Sequence, residues 1–244
     1  MYYYKSRLAG VETTFAFHHE KTVAFYRGTL QPCEPCSTCI VVPPESIEHW
    51  QRHWSITDPA YVECLLSCHY ACDALMHARR VVFHGASFLW RGRAFIFSAP
   101  SGTGKTTQLK LWKENFGTEI EIMNGDRPIL EVLDSGGVLV HPSPWKGKEN
   151  MGRDDLTAPL GGIIVLRQDR SNRMERMKCS DACRNLFSRI YSTFNTEGDV
   201  LRAAEIMDRI LRSTPVWLLR NLGDRDSAML TYRTLLDEGA VGDV

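Results

Sequence analysis

The sequence predicts an α/β fold, and three observations carry that expectation. Ala94-Phe95-Ile96-Phe97-Ser98 is an apolar strand that runs through Ala99-Pro100-Ser101-Gly102-Thr103-Gly104 into Lys105-Thr106-Thr107-Gln108-Leu109-Lys110-Leu111-Trp112, a segment of helical spacing. Gly161-Gly162-Ile163-Ile164-Val165-Leu166 is a continuous apolar run suited to the middle of a sheet. Around these, strand-like runs alternate with helix-like ones along most of the chain.

Residues 1–58 are expected to form a small β-rich N-terminal subdomain, and residues 59–244 the nucleotide-binding domain. In the first part, Tyr2–Tyr4, Thr22-Val23-Ala24-Phe25-Tyr26 and Ile40-Val41-Val42 read as strands, the last ended by Pro43-Pro44. His18 and His19 read as solvated turn residues. Ser46 to Asp58 is expected to hold one short helix with Trp50 and Trp54 facing inward. Asp58-Pro59 starts a longer helix over Tyr61 to Arg79, with Cys64, Leu65, Cys68, Cys72, Leu75 and Met76 inward.

Val81 to Trp90 reads as one strand that turns at Arg91-Gly92 into the strand before the glycine-rich turn, which brings His84 close to that turn. Ile120-Glu121-Ile122-Met123 is a further strand, carrying Asn124-Gly125-Asp126 at its carboxyl end. Ile129–Leu133 and Val138–His141 read as a hairpin. Pro142 to Asn150 cannot be regular. It holds Trp145, Lys146, Lys148 and Glu149, and reads either as a substrate loop or as a solvated charged loop. Ser180-Asp181 opens a helix with Cys183, Leu186, Phe187, Ile190 and Phe194 inward. Asp199 caps another with Leu201, Ala204, Met207, Ile210 and Leu211 inward, which Pro215 stops. Val216–Leu219 is a last strand, and Asp226 opens a last helix through Leu236.

The 244 residues carry 29 basic and 29 acidic side chains, a balance that gives no basic face for nucleic acid and no acidic tail. No stretch approaches the ~20 apolar residues of a membrane span, and the amino terminus has no apolar secretory core. The expectation is a cytoplasmic protein without nucleic-acid or membrane partners, and a homo-oligomer stays open. Of eight cysteines, Cys64, Cys68 and Cys72 share one helical face as small buried hydrophobes, and Cys179 and Cys183 repeat that spacing. Cys33, Cys36 and Cys39 lie in a proline-rich loop, where thiolates at two-residue gaps can ligate zinc or an iron–sulfur cluster.

The turn over Ala99 to Thr107 has the chemistry of a phosphate-binding loop. Backbone N–H groups reach phosphate oxygens only where side chains are sparse, and Gly102 and Gly104 provide this. The following helix directs its positive end at the same anion. Lys105 adds a full charge for the β- and γ-phosphates, and the Thr106 hydroxyl is placed for Mg²⁺. Ala99 stands where the common motif has its first glycine. Because ligands gather at the carboxyl ends of strands, Asp126 is expected beside Thr106 and the metal.

With these residues in place the chain resembles the HPr kinase/phosphorylase-like family, serine kinases related to phosphoenolpyruvate carboxykinase. The resemblance runs from about residue 60 onward and rests on His84-Gly85, on Ala99-x-Ser101-Gly102-x-Gly104-Lys105-Thr106, and on Asn124-Gly125-Asp126. It implies a P-loop kinase core, a mixed sheet with flanking helices, and nearest kinship with compact relatives that modify peptides or small molecules. It also implies ATP and Mg²⁺ as cofactors and a hydroxyl acceptor, a serine of a peptide, protein or small molecule. Asp126 becomes the proton acceptor, His84 its partner, and Lys105 the stabiliser of the transferred group, with Thr106 and Asp126 toward the metal. The family's paired aspartate is reduced here, because Gly125 replaces its first member, and its glycine-rich signature is absent. Glu149 is then a weak substitute metal ligand, and Trp145, Lys146 and Lys148 are candidate phosphate or acceptor contacts. Recognition of HPr and phosphorolysis are not implied. The competing expectation is an accessory protein that binds a nucleotide and turns it over slowly or not at all.

Overall fold

A computed structural model describes residues 1–240. The chain opens with β1 (Tyr2–Leu8) and β2 (Val11–Phe17), then α1 (Thr22–Phe25), β3 (Gln31–Pro32), α2 (Pro44–Trp54) and α3 (Pro59–Met76). Next come β4 (Arg80–Val82), β5 (Ala86–Trp90), β6 (Arg93–Ser98), α4 (Lys105–Phe116), β7 (Ile120–Asn124), β8 (Ile129–Val132), β9 (Val138–His141) and β10 (Ala158–Gln168). The chain finishes with β11 (Arg173–Arg176), α5 (Cys179–Leu186), α6 (Glu197–Ser213), β12 (Val216–Asn221) and α7 (Arg225–Asp237).

A three-stranded sheet, β2-β1-β3, packs near a nine-stranded one ordered β4-β8-β9-β10-β6-β5-β7, with β12 on β10 and β11 on β12. The larger sheet is mixed, since β10 runs parallel to β6 and β12 while the remaining pairs are antiparallel. Its strands alternate between two apolar layers, as the two-residue period requires. Ala94, Ile96, Ile163, Val165, Val216 and Leu218 join the core beneath α3, α5 and α6. Phe95, Phe97, Ile164, Leu166, Trp217 and Leu219 face Leu109 and Trp112 of α4 and Ala228 and Leu235 of α7. The first layer also contains Leu8, Phe15, Phe17 and Tyr26, so the N-terminal sheet shares one core with the large sheet.

Topology brings the three motifs together. Strand β5 is antiparallel to both β6 and β7, so β6 and β7 point the same way and end at one edge. The start of β5 lies at that same edge, with Ala86 opposite Phe97. His84, the Ala99–Thr107 turn and Asp126 therefore emerge side by side.

Several sequence expectations are corrected. In place of the expected strand over Thr22–Tyr26, Thr22–Phe25 forms the short helix α1, because the buried Glu63 carboxylate takes the His18 and His19 N–H groups and the Thr22 hydroxyl and folds the chain over α3. Ile40 makes one bridge to Phe15, and Val41 and Val42 extend no strand. Val81–Trp90 splits at Phe83–Gly85, β4 pairing with β8 and β5 with β6 and β7. Helix α5 stops at Leu186, and Cys183 is exposed. Helix α6 is capped by Thr196, with Asp199 completing a capping box three residues in. Its buried face is Ala203, Ile206, Met207 and Ile210, so Leu201 and Ala204 are exposed. Strands β2, β3 and β11 have no counterpart in the sequence reading. Helix α3 starts as expected, with Asp58 capping the Ala60 N–H and Pro59 in the first turn. No helix among the described residues is long and apolar enough to cross a membrane.

Candidate active site

Between β6 and α4 the chain makes a tight turn, with Gly102 at φ 76° and Gly104 at φ 107°. A Cβ at either position would meet nothing within 4 Å, so it is the left-handed backbone, not crowding, that calls for glycine here. The N–H groups of Ser101, Gly102, Gly104, Lys105, Thr106 and Thr107 find no acceptor among the described residues. They form an open set of donors at a helix N-terminus, the arrangement that binds a phosphate chain. The Lys105 Nζ folds back onto the Ala99 and Pro100 carbonyls, at 3.0 and 3.3 Å. Burial lowers its pKa, the Asp126 charge opposes that, and the Arg189 charge adds to it.

Asp126 is placed by a side chain. Asn124, fully buried at the end of β7, accepts the N–H groups of Asp126 and Arg127 on its Oδ1 and donates from Nδ2 to Ser143. Asp126 Oδ1 then stands 3.5 Å from His84 Nε2, and Oδ2 stands 3.2 Å from Arg127 Nε. The latter is an ion pair without an aligned hydrogen bond, since Arg127 Nε has no hydrogen-bond partner. Burial works to raise the Asp126 pKa, but the His84 bond and the charges of Arg127, His84 and Lys105 prevail and hold it below the usual carboxylate value. His84 is fixed from both sides of its backbone, its N–H donating to Arg189 O at 2.7 Å and its carbonyl accepting from Ser98 Oγ.

The chain beyond β9 closes the site. Gly125 donates to Met151 O, and a Cβ at Gly125 would stand 3.1 Å from Lys146 O and 3.2 Å from Met151 Cβ. The space that a first aspartate needs is thus filled by the 145–152 segment. Trp145 is buried edge-on to Tyr26, and Lys146 is held by Asp154 at 2.8 Å and Gly152 O at 3.2 Å. Lys148 is exposed and, among the described residues, in no ion pair. The Glu149 carboxylate is engaged by Lys110 at 2.9 Å.

Arg127 and Tyr191 escaped the sequence reading. The Arg127 guanidinium lies 4.5 Å from the centre of the Tyr191 ring, which also neighbours His84. Burial opposes the Arg127 charge, yet the Cys68, Tyr191 and Asp126 groups around it hold its pKa above the usual arginine value. Its position directly after Asp126 was the available signal. Tyr191 lies where the sequence suggests the continuation of a helix, so its turn toward the site had no signal.

The glycine-rich turn, His84, Asp126, Arg127, Tyr191 and the 144–149 segment line one cavity of ≈ 950 Å³, which extends to Phe25 and Tyr61. Among the described residues no group of three or more His, Cys, Asp and Glu could hold a metal, Cys33, Cys36 and Cys39 included. A magnesium ion carried by a triphosphate needs only one or two protein ligands beside phosphate oxygens and water. Thr106, whose hydroxyl is unpartnered among the described residues, and Asp126 fit that smaller demand.

No family model matches the chain, and no curated protein does. Among solved structures, the HPr(Ser) kinase/phosphatase from Coxiella burnetii aligns with a TM-score of 0.38 and 10% identity, over 64% of this chain and 89% of that one. At that distance the functional reading rests on this chain's own residues.

Proposed function

We propose that the protein is an ATP- and Mg²⁺-dependent phosphotransferase acting on a hydroxyl of a peptide, protein or small molecule. The observation that carries this reading is the half-buried His84–Asp126 pair set beside an open turn of backbone donors and Lys105. A carboxylate kept ionised, next to a site for a triphosphate, is a base for an attacking hydroxyl. The acceptor O–H gives its proton to Asp126 as its oxygen bonds to the γ-phosphorus. The bond from that phosphorus to the β–γ bridging oxygen breaks, and ADP leaves with the electron pair.

His84 orients the carboxylate, and Lys105 turns from the Ala99 and Pro100 carbonyls to the β- and γ-phosphate oxygens. Magnesium bound with the nucleotide, through Thr106 and Asp126, would neutralise charge on those oxygens. The Arg127 charge keeps Asp126 ionised until the acceptor arrives.

The test is mass spectrometry of a peptide and metabolite extract incubated with ATP, Mg²⁺ and either wild type or Asp126→Asn, with nucleotide affinity measured separately. A species heavier by one phosphate with wild type alone supports the reading. An equal yield with Asp126→Asn removes Asp126 from the mechanism. The alternative, a nucleotide-binding accessory protein, draws on Gly125 and on the engagement of both Asp126 oxygens. It expects no such species, with nucleotide bound equally by both proteins.

A further inference from the structure

The cavity over Asp126 continues beyond the phosphate loop to a wall made by the N-terminal segment, where Phe25, Arg27, Tyr61 and Leu65 face it. The Phe25 and Tyr61 ring centroids are 5.2 Å apart. Asp126 lines the same cavity as this wall and Lys105. It feels the Lys105 charge, and the Gly147 backbone lies against it, so close that a Cβ at Gly147 would be 3.0 Å from Asp126 Cβ. The Gly147 carbonyl in turn accepts from Arg27 Nη2 at 3.2 Å.

The wall is built and held in place. Glu63, fully buried on α3, accepts from His18 N at 2.7 Å and from Thr22 Oγ1 at 2.6 Å, which seats α1 on α3. Arg27 then leaves α1 in the left-handed region, at φ 55°. The one carboxylate at this end, Asp58, is neutralised by Lys21 at 2.6 Å. Arg27 forms no ion pair among the described residues. This end of the cavity therefore offers an unpaired guanidinium beside two aromatic rings and a leucine. A triphosphate on Gly102–Thr107 uses none of these four groups.

We propose that Phe25, Arg27, Tyr61 and Leu65 form the acceptor subsite, selecting a small hydroxyl compound that carries a carboxylate and an apolar group, as a seryl dipeptide with an apolar second residue does. A guanidinium takes a carboxylate through two parallel hydrogen bonds, and the rings take the apolar group. The hydroxyl then lies over Asp126. This subsite rests on the phosphotransferase reading.

Seryl-phenylalanine, its C-terminal amide and seryl-glycine, titrated calorimetrically with Mg²⁺ and a non-hydrolysable ATP analogue present, test the assignment. Wild type is expected to bind seryl-phenylalanine about tenfold more tightly than either comparator, the loss of one charge-assisted pair or of the aromatic contact. Arg27→Ala is expected to bind acid and amide alike while keeping its affinity for the ATP analogue, and Arg27→Lys to keep a preference for the acid. Equal binding of acid and amide by wild type, or no binding of any of the three, overturns the subsite. A fall in analogue affinity in Arg27→Ala gives the wall to the nucleotide base and overturns it as well. A wild type that fails to bind the analogue at all sinks the phosphotransferase reading itself, an outcome separate from the loss of acid preference.

Discussion

Asn124 decides where Asp126 points. Its Oδ1 accepts the Asp126 N–H at 2.9 Å and the Arg127 N–H at 2.8 Å, and its Nδ2 donates to Ser143 O at 3.2 Å and Ser143 Oγ at 3.1 Å. One buried amide thus ties the end of β7 to the segment beyond β9, and the Asp126 carboxylate is held by the turn between them. Asn124→Ala leaves these partners without a bond in a buried place, at a cost of about 2–3 kcal/mol in unfolding free energy. With Asp126 no longer aimed, phosphoryl transfer is expected to fall while nucleotide affinity holds. Denaturant titration together with separate kcat and nucleotide Kd measurements checks both halves.

The thiols differ sharply in reactivity. Cys36 is exposed, and the Thr14 and Thr38 hydroxyls and the Cys39 thiol bond to its sulfur and bring its pKa down to about 6. Burial drives Cys64 up to about 12 and Cys68 up to about 11. Because the thiolate is the nucleophile, Cys36 alkylation is expected to be near its maximum at neutral pH and to fall as the pH drops through about 6. Cys64 and Cys68 react only after unfolding. Mass spectrometry of iodoacetamide-treated protein across a pH series reads this directly, and a Cys36 rate that still climbs above pH 8 contradicts it.

Glu63 is the other buried group with a large share in the fold. It is fully buried and takes bonds from His18 N, His19 N, His19 Nδ1 and the Thr22 hydroxyl. Glu63→Ala strands these donors and is expected to cost about 3 kcal/mol or more, seen as a lowered denaturation midpoint. Glu63→Gln keeps an acceptor for only part of this set, since Oε2 takes three of the bonds and Oε1 one, and is expected to fall between Glu63→Ala and wild type. If Glu63→Ala unfolds at the wild-type midpoint, then α1 is not held by this carboxylate.

What the sequence revealed of this site was local. The turn over Ala99–Thr107, the His84-Gly85 pair and Asp126 each lie within a few residues of a strand end; strand period with glycine placement announces the turn and Asp126, while the His84-Gly85 pair is singled out by the family resemblance. What it hid depends on distant partners. Thr22–Tyr26 has the β-branched and aromatic composition of a strand, and only Glu63, some forty residues away, makes it a helix. The role of Asn124 depends on Ser143, and the fate of Lys146 on Asp154. The turn of Tyr191 toward the site follows from its N–H bonding to Val82 O, a contact that periodicity within 180–194 could not announce. For the same reason, β2 and β11 become strands by pairing with β1 and β12.

Gly125 stands where the family that the sequence resembles carries the first of two aspartates, and its surroundings say what an aspartate there would do. A Cβ at Gly125 meets Lys146 O at 3.1 Å, Met151 Cβ at 3.2 Å and Met151 O at 3.4 Å, while the Gly125 N–H is bonded to Met151 O. An aspartate there must push its carboxylate against two backbone carbonyls, or displace the segment whose Gly147 lies on Asp126. Crowding of this kind costs about 1–3 kcal/mol, and repulsion between the carboxylate and the carbonyl oxygens adds to it. Gly125→Asp is therefore expected to lower the denaturation midpoint without raising the transfer rate or the apparent affinity for Mg²⁺. Gly125→Ala carries the steric part alone and should lose less. A gain in Mg²⁺ affinity or rate in Gly125→Asp, measured by titrating the ion at saturating ATP, would mean that the 145–152 segment yields, and that the single aspartate limits the activity of the wild type.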